Sequence, residues 1–345
     1  MKFLLVGGGY RSQVFRYVAP ALGLELVGVV HRTERPDTAA VFTDLPTAVK
    51  ATQPDFILTV TPWDVTEQVI RYAVAHNIPV MAETPPAPDP ASLRKLVGDL
   101  AGNPLVQVAE QYPRYPEHAA RIAAIKRGVI GEVGQVQVSS TQTYHAVALL
   151  RAHLGLTARD LRQVTVRAHT TFAPLVQPLS RQGWTDDSDA QPAETTLAVI
   201  DFTDQKSGVY DMTTNQTRNL LRSRRLLARG TIGEISDLEV TRLAAPRLIT
   251  TTQIQRRQTG HDLDLNGYMS EYFTLGDDVL WQNQWPQERW NDDELAVASL
   301  LAAMQRFVAD DGPPPYPLIE AAADTLIGWA IEQAARESQP VTVRL

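Results

Sequence analysis

The sequence predicts an α/β protein in which a doubly wound parallel sheet is followed by an α+β domain with a mostly antiparallel sheet. The chain has 345 residues, more than one hydrophobic core usually supports, which favours two domains. Its first third alternates short apolar runs with amphipathic stretches, as strands and their covering helices do. Beyond residue 117 the apolar pattern changes to period two. We therefore predict domains at 1–117 and 118–345.

In the first domain, strands and helices are expected to alternate. The strand candidates are 3–6, 26–30, 55–60, 79–83 and 106–110. Helices are predicted to begin near Ser12, Asp44, Asp64 and Asp89. At several of these starts the Ser or Asp side chain is expected to accept hydrogen bonds from the free amides of the helix N-terminus. Right-handed crossovers assemble such units into one sheet, whose ligand crevice lies at the carboxyl ends of the strands.

The second domain is predicted to mix a sheet with a few helices. A helix is expected over 116–127, ended by Gly128, and an exposed loop over 185–190. Further strands are expected near 132–140, 164–169, 195–202, 208–212, 225–229 and 235–238. Two long helices close the chain, one capped by Asn291 with Glu294 at capping-box spacing and one over 317–337. The period-two alternation predicts a sheet with one solvated or partner-facing side.

Composition excludes several classes of protein. The chain is 44% hydrophobic and 21% charged, close to the globular average. Its net charge of −7 argues against the basic surface that binding to a nucleic acid or an anionic membrane requires. It has no cysteine, no signal-peptide pattern and no apolar run long enough to span a bilayer. We therefore expect a cytoplasmic protein with a small-molecule substrate and no nucleic-acid or membrane partner.

The strongest chemical signal is the turn Gly7-Gly8-Gly9-Tyr10-Arg11-Ser12, which lies between the first strand and the first helix. Gly7 permits a tight turn, and Gly9 lets the backbone approach a pyrophosphate. Ser12 takes the third-glycine position, where a small residue suits close helix packing. Free amides at the helix N-terminus would then point at the phosphates. The turn therefore predicts a Rossmann dinucleotide site that includes Tyr10 and Arg11.

The end of the second strand bears on the choice between NAD and NADP. An NAD enzyme commonly places an acidic residue there, on the ribose hydroxyls. This chain has His31 and Arg32, with Arg35 shortly after. These groups could hold a 2′-phosphate, so NADP is predicted in preference to NAD. The alternative is that they are solvated loop charges.

Further motifs follow the glycine turn in a specific order. They are Thr61-Pro62, Ala82-Glu83-Thr84-Pro85, Glu110-Gln111-Tyr112-Pro113-Arg114-Tyr115-Pro116, Arg127-Gly128-Val129-Ile130-Gly131-Glu132-Val133 and Tyr316-Pro317-Leu318-Ile319-Glu320-Ala321-Ala322. With this order and spacing the sequence resembles the glucose-fructose oxidoreductase, inositol dehydrogenase and MocA family over nearly its whole length.

The resemblance implies both a fold and an activity. Such proteins pair a Rossmann domain with an α/β domain whose large open sheet often forms a subunit interface, so a homodimer or homotetramer is expected. They are NAD(P)-dependent oxidoreductases that act on a small polar substrate, commonly a sugar or polyol. The resemblance implies that Thr61, Pro62, Glu83 and Thr84 contact the cofactor, and that Arg114 contacts the substrate.

The chain departs from this family at its proton-transfer groups. Thr84 stands where the family's Glu-Lys-Pro turn supplies a lysine. In the family's Asp-x-x-x-His-x-x-Asp stretch, Thr141 and Ala148 replace the aspartates and only His145 remains. Because alcohol oxidation needs a proton acceptor, we predict that His145 is catalytic and contacts substrate, with Tyr144 beside it as a donor or relay. The alternative is that His145 makes a structural hydrogen bond at a helix start.

Three functions remain open at this point. The first is an active oxidoreductase with a rearranged proton-transfer set. The second is a dinucleotide-binding regulator or scaffold that has lost turnover. The third is a lyase or glycosidase that uses bound NAD to remove and return a hydride. No metal site is predicted, since His261-Asp262-Leu263-Asp264 is a short cluster without a matching partner.

Overall fold

The computed structural model describes residues 1–33, 37–100, 102–180, 182–262 and 265–345. The chain divides into two compact units. Unit 1 comprises Met1–Pro116, Gln258–Ser270 and Asn283–Ala322. Unit 2 comprises Glu117–Arg257, Glu271–Gln282 and Ala323–Leu345. Each unit is built from three stretches of chain, and the predicted division into two continuous domains stays a prediction.

Unit 1 contains a six-stranded sheet with the strand order β3-β2-β1-β4-β5-β6, and its described pairings are all parallel. The strands are β1 (Lys2–Val6), β2 (Glu25–Val30), β3 (Val41–Phe42), β4 (Phe56–Thr59), β5 (Val80–Ala82) and β6 (Val106–Val108). The helices between them are α1 (Ser12–Val18), α2 (Leu45–Thr52), α3 (Trp63–Ala75) and α4 (Pro90–Leu100). This is the doubly wound order of a Rossmann sheet, so the predicted fold class is confirmed.

Local sequence explains where these helices begin. Asp44 accepts a hydrogen bond from the Thr47 amide at 2.9 Å, and Asp89 accepts one from the Ser92 amide at 3.0 Å. The predicted starts at these aspartates are confirmed. The two-residue strand β3 is not foreseen, because Val41 and Phe42 form too short a run to show periodicity.

Unit 2 is organised around an eleven-stranded sheet with the order β18-β17-β16-β15-β14-β13-β7-β12-β11-β8-β19. Strands β7 and β12 are parallel, and the other pairings for which a register is described are antiparallel. A large, mostly antiparallel sheet is therefore confirmed.

The remaining elements complete the chain. The strands are β7 (Val133–Ser139), β8 (Gln163–Leu175), β9 (Leu179–Ser180), β10 (Gly183–Trp184), β11 (Gln191–Asp201), β12 (Ser207–Thr213), β13 (Arg225–Gly230), β14 (Gly233–Ser236), β15 (Glu239–Ala245), β16 (Leu248–Thr259), β17 (Met269–Leu275), β18 (Asp278–Gln282) and β19 (Val341–Arg344). The helices are α5 (Pro116–Lys126), α6 (Thr143–Leu154), α7 (Asp292–Val308) and α8 (Leu318–Glu337). Short 3-10 turns lie at Pro20–Leu22, Tyr112–Arg114 and Ala158–Asp160.

The two faces of the large sheet differ in burial. On β11, Ala198 and Ile200 are buried on the face that α6 covers, whereas Leu197 and Val199 are each 46% exposed on the other face. This alternation is the predicted period-two pattern. Strands β15 and β16 were not predicted. In β16 exposed Thr, Gln and Arg side chains dominate and leave little apolar signal, and in β15 the apolar residues do not alternate regularly with polar ones.

Two further observations complete the fold. At the start of α7, Asn291 accepts hydrogen bonds from the Asp293 and Glu294 amides, and Glu294 accepts one from the Asn291 amide. The predicted capping box is confirmed. Within the described ranges, no helix combines the length and the apolar character that crossing a membrane requires.

Candidate functional site

The glycine turn connects β1 to α1 at the carboxyl edge of the unit 1 sheet. Gly7 has φ +94°, and a Cβ added there would lie 2.2 Å from the Val60 carbonyl oxygen. Only glycine fits this position, both for its backbone conformation and for its space. Ser12 closes the turn, because its hydroxyl donates to the Gly9 carbonyl at 2.6 Å.

The other two glycines differ in their surroundings. A Cβ added at Gly9 would meet only the Val60 oxygen, at 3.9 Å, so the space beside this residue is open. A Cβ added at Gly8 would lie 2.4 Å from His31 Cε1, which shows that the imidazole packs directly on the turn. No role was predicted for Gly8 from the sequence. The exposed ring of Tyr10 lies at the tip of the same turn.

Arg11 begins α1 and directs its guanidinium into unit 1. Its Nε donates to Glu83 at 3.2 Å, and its Nη1 donates to Asp293 at 2.6 Å. Burial alone would lower the Arg11 pKa, but the hydrogen bond and charge of Asp293, with the charge of Glu83, raise it. The side chain of Arg11 thus links the glycine turn to the end of β5 and to α7.

Both carboxylates around Arg11 have further partners. The second oxygen of Glu83 accepts from the Thr84 amide at 2.8 Å, just before the cis peptide bond that joins Thr84 to Pro85. The second oxygen of Asp293 accepts from the Tyr115 hydroxyl at 2.6 Å. Burial and the charge of Asp293 raise the pKa of Tyr115. Tyr115 and Asp293 therefore belong to the same network. Tyr115 lies in a motif singled out from the sequence, but no role was predicted for it or for Asp293.

Thr61 and Pro62 follow β4 at the same edge of the sheet. The Thr61 hydroxyl lies 2.9 Å from the hydroxyl of Thr59 and 2.9 Å from that of Thr66. Pro62 is the N-cap residue of α3. These bonds hold the Thr61 side chain beside Gly7, where its methyl carbon would be 2.9 Å from an added Cβ.

A cleft of about 470 Å³ lies beside the turn, and its lining consists of Gly8, Ser12, Gln13, Arg16, Tyr17, His31 and Asp37. Two predicted residues, Ser12 and His31, are among these. Arg32 is exposed next to His31, and Arg35 lies outside the described residues. Arg16 and Asp37 were missed by the sequence analysis, although an acid soon after the second strand is a signal that could have found Asp37.

Arg114 is placed in the interior of unit 1. Its guanidinium donates to the Pro315 carbonyl at 3.1 Å and to the Ser299 hydroxyl at 3.4 Å. Burial, together with the nearby charge of Arg306, lowers the Arg114 pKa to about 10. Through these contacts, the Arg114 guanidinium connects the 3-10 turn Tyr112–Arg114 to α7 and to the segment before α8.

His145 and Tyr144 lie in unit 2, on the first turn of α6. Their ring centroids are 4.3 Å apart. Helix α8 approaches this turn closely, since a Cβ added at Gly328 would lie 3.0 Å from the Tyr144 nitrogen. The neighbouring Thr143 hydroxyl donates to Glu332 on α8 at 3.1 Å. Close packing and this hydrogen bond fix the turn that presents the two rings.

The predicted residues thus fall into separate groups. Gly7, Gly9, Arg11, Ser12, Glu83 and Thr84 come together in unit 1 around one turn. Thr141, at the end of β7, and Ala148, on α6, are both buried in unit 2. From the weak metal cluster, His261 contacts the guanidinium of Arg289, and Leu263 and Asp264 lie outside the described residues.

Comparison with known proteins gives a match in structure but not in sequence. No protein-family model matches the chain, and no curated protein matches it. An oxidoreductase from Agrobacterium radiobacter, solved with NAD⁺, L-tartaric acid and magnesium, superimposes with TM-score 0.70 at 14% identity, covering 99% of this chain and 98% of that one. The chain shares the fold of this oxidoreductase.

Two further solved structures agree with this. A levoglucosan dehydrogenase in complex with NADH and levoglucosan has TM-score 0.70 at 16% identity, with 99% of each chain covered. A myo-inositol dehydrogenase from Corynebacterium glutamicum has TM-score 0.64 at 16% identity, covering 100% of this chain and 99% of that one. The fold expected from the family resemblance is therefore confirmed over the full length.

The Arg11 network generates a prediction about stability. Replacing Arg11 by Met leaves Glu83 and Asp293 partly buried without their cation, so we expect the free energy of unfolding to fall by about 2–3 kcal/mol. The matched control is Arg71→Met, which removes a more exposed arginine of α3 that also binds two carboxylates, Glu67 and Asp99, and should cost less than about 1 kcal/mol. Chemical denaturation of both variants measures the difference. Equal losses would show that the Arg11 network is an ordinary surface ion pair.

Proposed function

We propose that this protein is an NAD(P)-dependent oxidoreductase that transfers a hydride between nicotinamide and a small polar substrate, a sugar, a polyol or a derivative. The observation that carries the proposal is the turn at the carboxyl edge of the 3-2-1-4-5-6 sheet. Gly7 has the positive φ that this turn requires, and Gly9 leaves open space beside the backbone. A pyrophosphate needs that close approach and the free amides of the following helix.

The residues present fit a dinucleotide. The backbone from Gly7 to Ser12 would hold the pyrophosphate, with Tyr10 at its tip. Arg11 would contribute through its backbone, because its guanidinium already binds two carboxylates. His31 and Arg32 would lie toward the adenosine end. Thr61, Pro62, Glu83 and Thr84, at the ends of β4 and β5, would lie toward the nicotinamide end, where the cofactor supplies or accepts the hydride.

The substrate class is supported by the structural relatives. One was solved with levoglucosan, one with L-tartaric acid, and one is a myo-inositol dehydrogenase. All three compounds carry several hydroxyl groups on a small carbon skeleton. We propose a substrate of this kind, with the substituents and the direction of the reaction to be found by screening.

His145 is the proposed proton-transfer group. Oxidation of an alcohol requires a group that accepts the hydroxyl proton, and histidine exchanges protons readily near neutral pH. At the positions where the resembled family has Lys and Asp, this chain has Thr84, Thr141 and Ala148, whose side chains do not ionise near neutrality. Tyr144, in contact with the His145 ring, is the proposed donor or relay.

We further propose that the protein is a homodimer or homotetramer joined through the open face of the large sheet. Val199 and Val209 are neighbours across β11 and β12. On the same face several charges are paired within the chain, for example Arg167 with Asp201 at 2.6 Å. A surface of this kind can be buried against a second copy without stranding a charge.

The proposed role of the glycine turn in binding the pyrophosphate is tested by Gly9→Val. The added side chain meets open space in the protein, so the variant should fold, but it should block the pyrophosphate and abolish dinucleotide binding. Calorimetric titration with NAD(H) and NADP(H) measures this, beside a melting curve for each protein. Gly98→Val, also in open space but on α4, is the control and should bind normally. Unchanged affinity in the Gly9 variant would remove the turn from the proposal.

The proton-transfer role is tested by His145→Ala. Loss of a general acid or base should lower turnover by about 10²- to 10⁴-fold while cofactor affinity stays the same. The measurement is turnover on the polyhydroxylated substrate that proves active, with His76→Ala at the exposed end of α3 as the control. Turnover near that of the unmodified protein would contradict the role of His145 and direct attention to Tyr144. A protein that binds cofactor yet converts nothing in a broad panel would be a regulator or scaffold instead.

Assembly is tested by light scattering on the protein and on Val199→Asp. The unmodified protein should have the mass of two or four chains, and the new charge should shift it toward one chain. Leu220→Asp, which changes an apolar side chain 67% exposed in a loop, should leave the mass unchanged. A single-chain mass for the unmodified protein would contradict the proposal.

A further inference from the structure

The adenosine end of the cleft lacks an acid in the usual place but gains one from further along the chain. Strand β2 ends at Val30 and is followed by His31 and Arg32. The His31 ring packs on Gly8, so it lies against the phosphate turn rather than in solvent. Asp37, seven positions beyond the end of β2, lines the same cleft as Gly8 and His31. A carboxylate therefore occupies the wall where ribose hydroxyls would lie.

The Asp37 carboxylate is held firmly. Nη1 of Arg16 on α1 donates to its Oδ2 at 2.8 Å, and Nη2 donates to its Oδ1. The Ala39 amide donates to Oδ1 at 3.1 Å. His31 Nε2 lies 3.9 Å from Oδ2. The side chain is only 7% exposed, so its position is set by packing and by these bonds.

The charge on this wall of the cleft follows from the ion pair between Arg16 and Asp37. The Arg16 guanidinium lowers the pKa of Asp37 well below its usual range, so the carboxylate is ionised at neutral pH. In return, Asp37 balances the charge of Arg16 and accepts two of its five N–H donors. The positive charge of Arg16 is therefore already compensated within the protein and adds little net attraction for a 2′-phosphate. Oδ1 of Asp37 already accepts from Arg16, Thr38 and Ala39, whereas Oδ2 accepts a described hydrogen bond from Arg16 alone and has a lone pair left for a ribose hydroxyl.

These contacts distinguish the two nicotinamide cofactors. A ribose with a free 2′-hydroxyl could donate a hydrogen bond to the carboxylate, and hydrogen bonds to charged acceptors are among the strong ones. A ribose bearing a 2′-phosphate would bring a second anion against the first, and two like charges at contact distance repel each other.

We propose that Asp37, oriented by Arg16, is the residue that selects NAD(H) over NADP(H) in this protein. The inference rests on the proposed function, since it concerns the same dinucleotide site. It reverses the preference for NADP that His31, Arg32 and Arg35 suggested from sequence. The carboxylate responsible, that of Asp37, lies further along the chain than those three residues. Arg32 remains on the exposed side of the turn after β2.

The test compares NADH and NADPH by calorimetric titration of the full-length protein. The unmodified protein should bind NADH at least about tenfold more tightly than NADPH, a difference of about 1.4 kcal/mol. Asp37→Asn removes the negative charge, keeps the size of the side chain and releases the Arg16 charge. It should therefore shift the ratio of the two affinities toward NADPH by about tenfold or more. Asp277→Asn, which removes one charge from an exposed turn of unit 2, is the control and should leave the ratio unchanged.

The outcomes separate this inference from the proposed function. Binding of neither dinucleotide to the unmodified protein would contradict the function itself. Equal binding of both, or tighter binding of NADPH, would overturn the role of Asp37 and leave the function standing. An unchanged ratio in Asp37→Asn would overturn it as well. If that variant does not fold, Asp37→Ser is measured in its place, and the ratio for the unmodified protein still decides.

Discussion

The interaction on which unit 1 depends is the engagement of the Arg11 guanidinium by Glu83 and Asp293. Placing a cation beside two carboxylates in a partly buried position costs desolvation, which only good geometry and full hydrogen bonding offset. The structure meets this condition, because the remaining oxygens of the two carboxylates accept from the Thr84 amide and the Tyr115 hydroxyl. The Arg11 side chain thereby sets the positions of the glycine turn, the end of β5 and the start of α7.

This arrangement explains how an arginine in the turn would serve the proposed dinucleotide site without binding phosphate through its side chain. Its cation is used within the protein, and the groups left for a phosphate are backbone amides beside Gly9. Backbone amides at a helix N-terminus favour an anion through their partial charges, which do not titrate. Arg114 follows the same principle more deeply in unit 1, where carbonyl and hydroxyl oxygens receive its guanidinium and burial lowers its pKa.

Unit 2 depends on a different constraint, which is close packing of helices on one face of a wide sheet. Gly328 lets α8 approach the first turn of α6, and Glu332 receives the Thr143 hydroxyl there. The carboxylate also lies near the N-terminus of α6, where a negative charge is favourable. The Tyr144 and His145 rings are therefore presented by a turn that two neighbours hold in place, as a residue in proton transfer would need.

The sequence by itself determined the fold class and the glycine turn, because both depend on local patterns. Strands alternating with capped helices specify a parallel sheet, and Gly7 specifies a turn that other residues cannot adopt. The capping residues Asp44, Asp89 and Asn291 act within a few positions of themselves, so their helices could be predicted to the residue or nearly so.

Only the tertiary structure decided which distant charges meet. Asp293 lies 282 positions from Arg11 and looks in sequence like any acid in the first turn of a helix. Asp37 reads as a loop charge until Arg16 of α1 is seen to bind it. The acceptors of the Arg114 guanidinium, on α7 and before α8, also lie far from it along the chain. Long-range ion pairs leave no periodicity in a single sequence, because their partners are chosen by the packing of elements and not by spacing along the chain.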